Sequence, residues 1–420
     1  MNDRDALTGV GRSDSRCQDV WDALDRYADR WDKKGNLLEE GRPRPSRANL
    51  NLILNFDPRL EGTLRYNEFT GRVEFQGEVI QDHHETRIAT WLSEIYQVDF
   101  TKRMLGPGLD MVARETAYHP VRDYLTKLEW DGVSRLPTWL HRYTGAEDSV
   151  LNAHIGTCWA VSAVARILRP GCKVDTVLTL VGEQGRSKSK FFRLLAVDPA
   201  WFSDAVVHLS NAMKSADAAM VLQGRWVFEF AELEAVRSGS QARVKQYVTT
   251  QVDSYRPPYG SHYVDWPRQC VFVGTVNKQE FLGDPTGSRR FWPVAVDRMD
   301  LDAIVADRDQ LWAEAVVRFR QGEQWWLPDE VEALRHLDAD RYTSADAWTD
   351  DVAAFLQNRS MTTVQEVLTK AVQMELGRVN RSHQMRAAGI LESLGWVKGK
   401  RRRFNGRLIR PWYPQPREVL

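Results

Sequence analysis

The sequence of 420 residues has no excess charge of either sign, with 57 Lys and Arg against 57 Asp and Glu, so any charged site must come from local segregation. Cysteine is scarce. Cys17, Cys158, Cys172 and Cys270 lie far apart and form no C-x-x-C pair, which argues against a zinc site or a disulfide framework and for buried reduced thiols. No apolar run approaches the roughly 18–20 residues that a membrane span needs. The stretch MNDRDALTGVGRSDSR has no apolar segment of the secretory kind, so the chain is expected to be cytoplasmic and free of the membrane. The pair His83-His84, between Asp82 and Glu85, has no partner cluster and reads as a solvated loop rather than a metal site.

What is present is material for a core. Hydrophobic residues make up 43% of the chain, including 16 Trp, 15 Phe and 12 Tyr, which excludes wholesale disorder. The length implies several domains. Residues 1–47 are polar and read as a flexible segment with one short amphipathic stretch, VWDALDRYADRW. Residues 48–170 read as mostly helical, with a hairpin in LRYNEFTGRVEF that turns at Thr70-Gly71. From 171 to 345 the pattern changes to apolar, β-branched runs: VDTVLTLVG, RWVFEF, CVFVGT and FWPVAV. Runs of this kind, separated by crossovers, predict an α/β layer with a buried parallel sheet. Residues 346–420 read as helices followed by a short basic β-ribbon, which predicts a winged helix. Between Arg378 and Arg410 there are ten Lys or Arg against one acid, Glu392. Such a patch, interleaved with Trp396, Phe404, Trp412 and Tyr413, suits nucleic acid. Lys398, Lys400, Arg401, Arg402 and Arg403 are its centre.

The sharpest chemical signal is GEQGRSKS, residues 182–189. It fits the phosphate-binding pattern G-x-x-x-x-G-K-S/T except that Ser187 replaces the second glycine, and it sits between a strand and a helix as that pattern requires. Gly182, Glu183, Gln184, Gly185, Arg186 and Ser187 would supply the cradle. Lys188 would reach the outer phosphates of ATP, and Ser189 would bind Mg²⁺ through its hydroxyl. Hydrolysis also needs carboxylates, a water-orienting amide and a cation for developing charge. Glu229 lies within an apolar strand and Glu232 just after it, where desolvation is costly unless the group has a task. Asn277 follows the next strand, and Arg289 and Arg290 precede the last. In a parallel sheet the carboxyl ends share one rim, so Asn277 is expected near Lys188. The arginines suit a finger offered to a neighbouring subunit.

These residues stand in stretches that resemble the virulence-associated protein E family of phages, phage satellites and genomic islands. They are HPVRDYL, RPGCKVDTVLTLVGEQG, WVFEFAELEAV, QVDSYRPPYG, PRQCVFVGTVN and FLGDPTGSRRFWPV. The resemblance implies a P-loop AAA+ core like that of superfamily 3 helicases. It further implies a ring, hexameric by family expectation, that uses ATP and Mg²⁺ to drive DNA unwinding in replication of a mobile element. It makes Lys188 and Ser189 the Walker A pair, and Glu229, which would also bind the metal, and Glu232 the Walker B acids, without deciding which positions water. Asn277 becomes sensor 1, and Arg289 or Arg290 the finger. The segment VDSYRPPYGSHYVDWPRQ predicts a hairpin, and by the resemblance Arg256, Tyr259 and His262 face the central channel and a single DNA strand while the basic C-terminal segment binds duplex or origin DNA, although a purely structural hairpin fits the same pattern. No primase motif precedes the helicase part, so priming is expected from a separate partner. A DNA-bound, ATP-dependent regulator or host-interference switch without unwinding is the alternative reading, and a small-molecule kinase the weaker third.

Overall fold

The computed structural model describes residues 15–27, 30–31, 37–39, 41–205, 216–231, 238–257, 262–277, 289–342, 347–404 and 407–415. The chain divides into two compact units at Asp340 and Arg341.

The first unit is organised by a five-stranded parallel sheet. Its strands are β1 (Val177–Val181), β2 (Phe202–Ser203), β3 (Val227–Phe230), β4 (Val271–Val276) and β5 (Phe291–Ala295), in the spatial order β5-β1-β4-β3-β2. Every residue of β1, β3 and β4 is buried, which is why these strands read as continuous apolar runs instead of alternating ones. The sequence pattern located four of the five; β2, two residues long, is too short to leave one.

Three helices matter for the site: α1 (Val150–Leu168), α2 (Lys188–Leu195) and α3 (Leu301–Arg320). The first is buried without a break from Ile155 to Ile167, as a helix without a polar face must be. It shares one core with β1, β3, β4 and α3, although the sequence pattern sets it before the change of regime near 171. Trp159 on α1, Trp226 before β3 and Trp312 on α3 tie these layers together. The rings of Trp226 and Trp312 lie 4.4 Å apart and those of Trp159 and Trp312 6.2 Å apart. Each indole N–H donates to a carbonyl, of Phe272 (3.3 Å), Ala163 (2.9 Å) and Leu195 (3.0 Å) for Trp159, Trp226 and Trp312 respectively. Large rings are thereby buried without stranding a donor.

Upstream, a second core gathers Leu50, Ile53, Ile88, Leu92, Tyr96 and Leu109. The amphipathic stretch near the N-terminus is helical over Ser15–Ala23, and its Val20 is buried in this core. It stops earlier than VWDALDRYADRW suggests because the backbone beyond it pairs elsewhere: Tyr27 N–H donates to Arg42 O and Arg44 N–H to Asp25 O, both at 2.9 Å. The expected hairpin forms from Leu64–Asn67 and Arg72–Phe75. His83 and His84 are not in a loop. They begin the helix Asp82–Tyr96, where His84 is buried and its Nδ1 accepts the N–H of Gln81 at 3.1 Å, so a histidine serves as the capping group. Among the described residues no group of His, Cys, Asp and Glu could hold a metal ion in the manner of a zinc site. All four cysteines are buried and free, and burial pushes the Cys158 thiol up to about 12.

The second unit has the order of a winged helix: α4 (Thr349–Leu356), a bridge at Thr362, α5 (Val364–Glu366, continued as a π turn to Ala371), α6 (Arg381–Ser393), then the ribbon. Thr362 and Trp412 exchange both backbone bonds, at 3.0 and 2.7 Å. The ribbon pairs Trp396–Lys398 with Trp412–Pro414 and Arg402–Phe404 with Arg407–Ile409. Val352, Val367, Leu368, Ala387, Leu391 and Trp412 fill its core.

Candidate nucleotide site

The parallel register brings the phosphate loop and the residue after β4 together. Val181 and Val276, the last residues of β1 and β4, lie opposite each other, and Gly182 N–H donates to Val276 O at 3.1 Å. Gly182 has no room for a side chain, since a Cβ there would stand 2.6 Å from the carbonyl oxygen of Val296. Gly185 has φ +85° and open space around it. Ser187, the departure from the motif, adopts φ 60°, ψ 28°, the left-handed region in which glycine is unstrained and other residues are disfavoured by about 1 kcal/mol. Its side chain makes no capping bond to α2.

Lys188 is buried, and its ammonium donates to the carbonyls of Gly182 (2.6 Å) and Glu183 (2.8 Å) and to Asn277 Oδ1 (3.2 Å). Ser189 Oγ donates to Glu229 Oε1 at 2.7 Å. Glu229 is 1% exposed, and its Oε1 also accepts the hydroxyl of Thr275 at 2.6 Å. Its other oxygen, Oε2, is buried and has no hydrogen-bond partner among the described residues. Burial pushes the Glu229 carboxyl above the usual range, against the hydrogen bonds from Thr275 and Ser189.

Thr275 is a residue that the sequence did not reveal. A threonine in a strand reads as an ordinary β-former. Its role follows from register: Glu229 pairs with Val273, and Thr275, two residues on, shares that face within diagonal reach. Glu183, Gln184 and Arg186 are exposed on the loop, and Arg186 pairs with Glu183 at 2.8 Å and Asp297 at 3.7 Å.

The arginine pair is not brought to this rim. Arg289 and Arg290 form a short turn immediately before β5, whose first residue, Phe291, pairs with Val177 at the start of β1. They therefore lie at the amino edge of the sheet, about 13 Å along the strands from the loop that follows Val181. Glu232 lies outside the described residues.

The expected hairpin forms, with Val252–Tyr255 antiparallel to Val264–Pro267. Arg256 and His262 stand exposed at its end; Tyr259 lies outside the described residues. Tyr263 is 76% exposed there. The root is fixed by a two-bond pair from Arg268 to Asp253, at 2.6 and 2.8 Å, and by Trp266, which fills the space that a Cβ on Gly71 would need. In the second unit Lys398, Lys400, Arg401, Arg402 and Arg403 are all exposed along the ribbon.

The donor set at the rim fits a nucleoside triphosphate with a divalent cation. It offers an ammonium, a loop of backbone amides at a helix start, and a hydroxyl beside a carboxylate oxygen left open. Strand, loop and helix at the carboxyl rim of a five-stranded parallel sheet make this an α/β protein with the layout of a phosphate-binding loop. The signature of the virulence-associated protein E-like domain matches residues 125–344, and the chain belongs to that family. No curated protein matches its sequence. Among solved structures it is similar to the apo A form of the NrS-1 C-terminal region, at 11% identity and a TM-score of 0.47 over 87% of this chain and 99% of that one. A second apo structure of that region gives 12% identity and 0.45 over 84% and 95%. A point mutant of Thermotoga maritima RuvB gives 11% and 0.24 over 61% and 91%.

Proposed function

We propose that this protein hydrolyses ATP with Mg²⁺ and uses the reaction to move along or open DNA during replication of a phage or other mobile element. The observation that carries the reading is Glu229, held between Ser189 and Thr275 with one oxygen open, on the same rim as Lys188. The amides of 182–187 and the Lys188 ammonium bind the phosphates, and Asn277 keeps that ammonium in place. Ser189 and Glu229 would hold magnesium, which would supply neutralisation of phosphate charge when bound. Glu232, just beyond β3, is the further acid available to orient water. Arg289 and Arg290, at the opposite edge of the sheet, serve a neighbouring subunit's phosphates rather than their own, which makes the active form an oligomer. The hairpin end with Arg256, Tyr259 and His262 contacts the strand, and Lys398 to Arg403 contact phosphates.

The test is the hydrolysis rate with and without single-stranded DNA, beside mass photometry of the assembly and with Lys188→Ala as the inactive control. Stimulation by DNA and loss in the variant are expected. A wild-type rate no higher than that of Lys188→Ala would end the reading. One observation favours a second reading, an ATP-gated regulator bound to DNA: the disfavoured backbone of Ser187 suits slow turnover. ATP-driven strand displacement separates the two, being present for the motor and absent for the regulator.

A further inference from the structure

The helix α6 buries one face and leaves the other bare. Ala387, Ile390 and Leu391 pack inward, while Arg381, Ser382, Gln384, Met385 and Gly389 are exposed. Arg381, Met385 and Gly389 follow one another at intervals of four, so they form one stripe.

Two features of this stripe serve no purpose in holding the unit together. Met385 is 66% exposed. Gly389 lies inside the helix, where glycine is destabilising relative to alanine. Glycine is retained at such positions when a Cβ would collide or when φ must be positive. Neither holds here: a Cβ on Gly389 would meet nothing within 4 Å, and its φ is not positive. What the missing Cβ does is keep the stripe flat, so that an outside surface can come close to the helix backbone.

The charge around the stripe indicates which surface. The sequence from Arg378 to Arg410 holds ten basic residues and a single acid, Glu392, which lies at the far end of α6 from Arg381; of the ten, Arg378 pairs with Glu375 at 3.3 Å. We infer that α6 enters the major groove of duplex DNA and reads base edges, while the ribbon that follows it holds the phosphates. This rests on the DNA reading proposed above and narrows it from a basic patch to a groove-reading module.

The dimensions agree, since the groove is roughly 12 Å wide and a helix with its side chains roughly 10–12 Å across. In helix-turn-helix architectures the amino-terminal residues of the second helix reach the bases. Here those residues have the chemistry for it. Arg381 matches the O6 and N7 acceptors of guanine, Gln384 the N6 and N7 pair of adenine, and Met385 offers an apolar surface to a thymine methyl. Asn380 accepts the His383 N–H at 2.9 Å and so fixes the first turn that carries them. The stripe has no aromatic side chain, which a single-strand platform would need for stacking. Arg386 is committed elsewhere, over the Trp348 ring at 3.8 Å.

The experiment uses the full chain and compares binding to a random-sequence duplex pool with binding to the matching single strands, by fluorescence anisotropy. Gly389→Gln, which should raise the unfolding temperature, is expected to lower the ratio of duplex to single-strand affinity at least tenfold. Arg381→Ala with Gln384→Ala should erase the sequence preference that wild type selects from the pool. A Gly389→Gln protein that binds duplex as wild type does overturns the groove assignment. If the triple variant Arg401→Ala, Arg402→Ala, Arg403→Ala then still loses duplex binding, the DNA reading stands without it. If neither set of changes alters duplex binding, the DNA reading of this unit falls as well.

Discussion

The rim beyond β1, β3 and β4 and the outer half of α3 each bury a glutamate, and they complete it differently. On α3, Glu314 Oε1 accepts Ser134 Oγ at 2.8 Å and the Arg318 guanidinium at 2.8 and 3.0 Å. Its Oε2 accepts the backbone N–H groups of Arg135 (2.6 Å) and Leu136 (2.9 Å). Both oxygens are filled, and a cation stands against them. At the rim, Glu229 has two hydroxyl donors on Oε1 and nothing on Oε2. A carboxylate taken out of water needs hydrogen bonds and a positive charge to offset its desolvation. The chain supplies all of them to Glu314, so that residue is scaffold: it clamps the 134–136 segment to α3. It supplies half to Glu229, and on the proposed reading a magnesium ion would bring the missing half.

The contrast breaks most severely at the clamp. Glu314→Ala strips the Arg318 guanidinium of a buried partner and leaves two backbone N–H groups without acceptors. The expected loss is about 3–5 kcal/mol of folding stability. Urea unfolding followed by tryptophan fluorescence would show it, because Trp159, Trp226 and Trp312 lie in the same core. A loss under about 1 kcal/mol would mean that a filled carboxylate is no better scaffold than an open one.

The equivalent change at the rim should spare the fold and remove the chemistry. Glu229→Gln keeps an acceptor for Ser189 and Thr275 but puts an amide N–H₂ in place of the unpartnered Oε2, which repels a cation. Hydrolysis at saturating ATP and Mg²⁺ is expected to fall about 10²–10³-fold, or about 3–4 kcal/mol. Phosphate release within threefold of wild type would show that the open oxygen is not where the cation acts.

The same variant sharpens the comparison through pH. The Glu229 carboxyl is raised by burial, so the folded protein holds this proton at pH values where the unfolded chain has released it. Stability from this group is therefore greatest below the ordinary carboxylate range and declines as pH rises through the raised value. Without nucleotide or metal, the unfolding temperature of Glu229→Gln should exceed that of wild type, by a margin that grows with pH across that window and then levels off. A constant margin would locate the cause outside ionisation.

The sequence announced the two acids unequally, for a physical reason. Glu229 interrupts VFEF, a run apolar on both faces, so its desolvation cost is visible in the string. Glu314 interrupts LWAEAVVRF in the same way, yet charged residues are common along helices and the pattern passes as an amphipathic surface. Its partners, Ser134 to Leu136, lie about 180 positions earlier, a pairing that no local pattern encodes. The strands of the sheet were readable because burial on both faces demands β-branched runs. Their register was not, and register is what recruits Thr275 to Glu229.

The smallest expected effect concerns the loop itself. Ser187 occupies the left-handed region without a capping bond in return, whereas Gly185 and Gly182 answer to a conformation and a close approach that glycine alone meets freely. Ser187→Gly removes the Cβ strain but enlarges the freedom of the unfolded chain, and these terms oppose each other. For a residue held at φ 60° the strain is the larger, so a net gain of about 0.5–1 kcal/mol is expected. Hydrolysis should rise rather than fall, because the loop amides would hold the cradle without strain. If Ser187→Gly instead lowers both stability and rate, the serine hydroxyl is contributing to the loop, and its backbone conformation belongs with the open oxygen of Glu229 as a feature completed by what binds there.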